Sequence, residues 1–64
     1  MAFTFDFCDA RARDAASAAS HAQLANVRDR ELRSEAAWRA MANQILQTEK
    51  KRQDRLEERA LPPQ

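Results

Sequence analysis

One thiol and one imidazole are the strongest metal- and proton-handling groups in this chain: Cys8 and His21, thirteen residues apart. A zinc site needs about four protein ligands at short characteristic spacings. Two lone ligands among scattered carboxylates do not make that set, so no metal site is expected. His21 then reads as a surface or helix-contact residue. Cys8 stands near a predicted helix start, a setting that activates thiols in some proteins. The commoner use of a free cysteine is as a small apolar filler, and that is the expectation for Cys8.

Nucleophilic catalysis needs a nucleophile, a base and an oxyanion site held in a pocket. The sequence contains no glycine and a single histidine, so neither a phosphate-cradling loop nor a triad is present. Two thin helices also enclose too little space for a substrate pocket. The chain is therefore not expected to be an enzyme, and no cofactor is implied.

The best nucleic-acid signal is the basic stretch with Lys50, Lys51, Arg52 and Arg55. Cations along a helix can follow phosphates in a groove. Against this, residues 49–59 carry five cations and four anions, so counter-charge is already supplied in cis. A helix regulator of nucleic acid is the alternative reading; a solvated charged face is the simpler one. A second group, Arg28, Arg30 and Arg33, is interleaved with Asp29 and Glu31 in the same way.

Trp38 carries the sharpest interaction signal, because tryptophan and arginine are enriched where binding energy concentrates and Arg39 follows it directly. Trp38, Met41, Ala42 and Ile45 recur at three- and four-residue steps, the spacing of one helix face. Val27 and Leu24 extend that face backwards and Leu56 forwards. Leu24, Val27, Trp38, Met41, Ala42 and Ile45 are the expected partner-binding face. In a hairpin, Trp38 would instead be the largest core residue.

The elements that must position these groups are helical. No glycine occurs, and both prolines lie at the far end, at Pro62 and Pro63. From Ala10 to Ala25 the chain is alanine-rich and helical by propensity alone. Ala12, Ala15, Ala19 and Ala22 form a seam of small residues that lets another helix approach closely. Projected forward, the seam meets Asn26, Asp29 and Arg33, which are polar, so the apolar face rotates within residues 26–33. A break near 26–31 is expected, with Asn26 and Asp29 as candidate caps. The absence of a turn glycine leaves one long bent helix as the alternative to a hairpin. Helices are expected over about 9–26 and 28–60. Asp29 with Arg33 and Glu35 with Arg39 are acid-before-base pairs four apart, each contributing a few tenths of a kcal/mol.

Ahead of the first helix, residues 1–8 alternate. Phe3, Phe5 and Phe7 lie on one side of what reads as a short extended tip, either a docking peg or a cover for a small core. Asp6 or Asp9 is the expected cap of the helix that follows. Residues 61–64 form a proline-containing tail that stops the second helix.

The fold class is accordingly all-α, a helical hairpin or one long bent helix, coiled-coil-like on association. With 64 residues and 44% apolar content inflated by alanine, an independent core is marginal. A second copy or another protein is the natural remedy. The expected function is that of a small non-enzymatic interaction protein, an accessory or regulatory subunit. A net charge of +1 gives little electrostatic pull toward a polyanion or an anionic membrane. No apolar run approaches the ~20 residues of a membrane span. The first residues lack a secretion-signal pattern and the cysteine is unpaired, so the cytoplasm is the expected compartment.

Overall fold

The computed structural model describes residues 3–60. Two helices form an antiparallel hairpin, α1 over Phe5–His21 and α2 over Ala25–Ala60, with no strand among the described residues. The hairpin settles the choice left open by the missing glycine. The proline tail 61–64 and residues 1 and 2 of the tip lie outside the described residues.

The extended tip is corrected by the helix start. Thr4 is the N-cap: its backbone is extended, and its hydroxyl oxygen accepts the Phe7 N–H at 3.1 Å. The Cys8 N–H donates to the Thr4 carbonyl at 3.1 Å, closing the first turn. Phe5, Phe7 and Cys8 are therefore helical, and neither Asp6 nor Asp9 is the cap. Asp6 lies instead in the first turn, where a carboxylate suits the positive helix end. The period-two spacing misled because the chain turns into the helix at Thr4, so Phe7 is helical while Phe3, just ahead of the cap, folds onto the first turn and stacks on it.

The reversal comes earlier than the expected 26–31, and α1 stops at His21 rather than near residue 26. The Ser20 hydroxyl donates to the Ser17 carbonyl at 2.8 Å, and His21 Nδ1 lies 2.8 Å from the same oxygen. Both contacts add to the backbone bonding of the last turn of α1 and do not replace an orphaned carbonyl's partner. Ala22 turns to φ −71° and ψ 130°, and its N–H bonds back to the Ala19 carbonyl at 3.3 Å. No described residue has positive φ. The connection is made with extended backbone, which is why no glycine is required. The Arg28 N–H donates to the Leu24 carbonyl at 3.0 Å, so α2 begins upstream of Asn26 and neither Asn26 nor Asp29 caps it.

The interior is a small-residue seam. Cys8, Ala12, Ala15 and Ala19 of α1 and Ala42 of α2 are buried. Val27, Glu31, Ser34, Glu35, Trp38 and Ile45 are half-buried along the α2 side, and Ala22 extends the α1 seam. Cys8 is fully buried, the packing role expected for it. Of the two expected helix ion pairs, Glu35 with Arg39 forms at 2.8 Å. Asp29 and Arg33 do not pair among the described residues; Arg30 instead reaches Glu31 at 3.6 Å.

The helices differ in length, 17 residues against 36. At 1.5 Å per residue they run roughly 25 and 54 Å. The molecule is correspondingly long, 62 × 20 × 16 Å. The N-terminal end of α1 reaches Trp38, against which the Phe3 and Phe7 rings pack. Beyond it, residues 46–60 of α2 are exposed without exception.

Candidate interaction surface

Trp38 sits at the far end of the hairpin seam, inside a cluster of rings. Phe3 and Phe7 stack at 5.2 Å with their planes 9° apart. Each meets Trp38 edge-on, with centroids 5.7 Å away and interplanar angles of 86° and 77°. The Arg11 guanidinium lies 5.7 Å from the centroids of both Phe7 and Trp38. Phe7 and Arg11 are four apart on one face of α1, and Phe3, ahead of the Thr4 cap, stacks on Phe7 to complete the cluster. Edge-to-face rings place a positive edge on a negative face, and a cation over the ring adds to that attraction.

The expected partner-binding set is therefore divided. Val27, Trp38, Ala42 and Ile45 line the side of α2 that α1 covers, and only Ala42 is fully buried. The ridge around Trp38 finds its apolar cover within the chain, from small residues and two phenylalanines. Leu24 in the turn and Met41 on α2 remain exposed, at 64% and 37%. Phe3 and Phe7 are covered on one side only and remain exposed, whereas Phe5 is half-buried. Leu32 and Leu46 are two further exposed apolar residues that the face spacing did not single out.

Where α1 ends, an open groove begins. It is lined by Phe3, Met41, Gln44, Ile45, Thr48 and Glu49. Past it, α2 is a single helix on which four cations gather along one groove. Lys51, Arg52, Arg55 and Arg59 line one surface groove together with Thr48 and Leu56. Lys50 is not part of that groove, since a helix turns about 100° per residue and carries it to another side. The basic set expected from sequence thus loses Lys50 and gains Arg59, whose four-residue step from Arg55 was the available signal. Only one ion pair forms in this segment among the described residues, Arg52 with Glu49 at 3.9 Å, and both side chains are more than half exposed.

Cys8 and His21 lie at opposite ends of α1, thirteen residues or roughly 20 Å apart along the axis. They cannot share an ion. Among the described residues no three His, Cys, Asp or Glu side chains come together in a metal-binding group. No helix among them is long and apolar enough to cross a membrane.

Compared with protein-family models, with curated proteins and with solved structures, the chain matches none.

Proposed function

We propose that this chain is a small, non-enzymatic interaction protein of the cytoplasm, an accessory or regulatory subunit whose docking element is the uncovered end of α2. One observation carries the reading. α1 covers the first part of α2, and residues 46–60 then continue as a helix in which every residue is exposed. Its nucleus is supplied by the covered part of α2, so what it lacks is tertiary packing, the main source of helix stability in proteins. Helices that are polar all round persist when they bridge to another body or carry many intrahelical pairs. This segment holds only the long Arg52–Glu49 pair among the described residues. Leu46 and Leu56 are about half exposed on it, and the groove at Phe3, Met41 and Ile45 adjoins it. Partner and second copy are both served by such a surface.

The test pairs binding with helicity. The full chain and a Leu46→Glu/Leu56→Glu variant are each examined for association by sedimentation and by quantitative capture from the native source. The wild type is expected to associate, and the variant to lose at least tenfold in affinity while α1 and the hairpin keep their helical signal. Equal association by the two proteins would contradict the reading.

A second reading rests on the gathered cations. Lys51, Arg52, Arg55 and Arg59 on one side of a free helix could follow a phosphate backbone. Duplex binding that falls steeply between two salt concentrations, and that is lost on Arg55→Glu, would support it. Weak binding with a shallow salt slope would remove it.

A further inference from the structure

We propose that the uncovered end of α2 pairs antiparallel with the same segment of a second copy, in a register that sets Ile45 against Leu56 and Glu49 against Arg52 of the other chain. This rests on the docking reading above and names the occupant.

The line of residues that faces α1 does not stop where α1 stops. Trp38, Ala42 and Ile45 continue into Glu49, Arg52 and Leu56 by alternating steps of four and three. That is the heptad spacing which keeps one face of a helix turned toward a partner helix. α1 occupies the first part of the line through its ring cluster, with Phe3 at the mouth of the groove that also holds Ile45 and Glu49. The second part is bare.

The bare part, together with the half-buried Ile45 at its edge, is self-complementary when reversed. Read one way the face is Ile45, Glu49, Arg52, Leu56; read the other way it is apolar, basic, acidic, apolar. Two copies related by a two-fold axis between Lys50 and Lys51 would form two apolar pairs at the ends and two acid–base pairs at the middle. Such an isologous contact closes as a dimer. A parallel, in-register pair would oppose Glu49 to Glu49 and Arg52 to Arg52, and like charges across a seam disfavour that arrangement. Flanking residues agree with the antiparallel choice: Arg55 of one copy falls beside Thr48 of the other, and Leu46 beside Gln53. Leu56 of the second copy would close the groove at Phe3 and Ile45. The intrachain Glu49–Arg52 contact is long and exposed, so exchanging it for an interchain one sacrifices little.

Charge reversal tests the register. The full chain, Glu49→Arg and Arg52→Glu are compared by sedimentation equilibrium over a hundredfold concentration range, with helicity followed by circular dichroism. The wild type is expected to reach twice the 7.3 kDa chain mass. Each single variant should associate at least tenfold more weakly, because like charges then meet at both middle positions. An equimolar mixture of the two variants should recover the doubled mass, because opposite charges again face each other across the seam. The intrachain pair cannot produce that recovery, since each chain still carries two like charges. Single variants that dimerise as tightly as the wild type, or a mixture no heavier than its components, would overturn the register. A wild type that stays monomeric throughout would overturn the pairing. That holds whether it binds a different protein, which would leave the docking reading standing, or a nucleic-acid duplex, which would replace it.

Discussion

Trp38 is held by groups from the first turns of α1 and from the residue ahead of its cap. Phe3 and Phe7 meet its ring edge-on, and Arg11 lies over it. Replacing Trp38 by alanine would remove the largest side chain from the seam and leave two stacked rings without their partner. Trp38→Ala is expected to destabilise the hairpin by about 3 kcal/mol, the lower part of the range for large aromatic truncations because the indole is only half-buried. Denaturant titration followed by circular dichroism measures this; a loss below about 1 kcal/mol would show that the ring cluster does not hold the helices together. The importance of Trp38 was legible from its type and spacing. Its neighbours were not, because the alternation of residues 3–7 hides a helix start at Thr4 that separates Phe3 from Phe7 in backbone conformation. Arg11 gave no signal until Phe7 was known to share its face.

The elements are joined by a seam of small side chains. Ala12, Ala15 and Ala19 are buried against α2 beside Cys8, and that seam followed directly from the alanine spacing. Its tightness leaves no room for growth. Ala15→Leu is expected to force the helices apart and cost about 1–3 kcal/mol, read as a lower thermal midpoint. A midpoint equal to that of the wild type would mean that the helices are not closely packed at this position. The all-α class and the rotation of the apolar face could be read from the chain, while the choice between a hairpin and one bent helix stayed open. The position of the turn could not. The helix ends where Ala22 turns to an extended backbone and its N–H bonds back to the Ala19 carbonyl, which leaves no mark on hydrophobic periodicity. The cap at Thr4 was hidden for a related reason: two aspartates nearby are equally good candidates by type, and only the backbone geometry selects between cap and first turn.

At the scale of the whole molecule, the hairpin is lopsided. A 17-residue helix is packed on a 36-residue one, so residues 46–60 of α2 stay exposed among the described residues. The sequence already suggested that a 64-residue chain would need a partner, but it assigned the need to the Trp38 face. That face is largely served by α1. The unmet need lies further along, at Leu46, Leu56 and the groove beside Phe3, because α1 reverses into a hairpin and is too short to follow α2 to its end. Amide hydrogen exchange resolved by residue, at low and high protein concentration, addresses this most directly. The amides of residues 46–60 are expected to exchange quickly in dilute protein and to gain at least tenfold protection on concentration, while those of α1 stay unchanged. Protection of 46–60 that is the same at both concentrations would contradict pairing of the uncovered helix with a second copy.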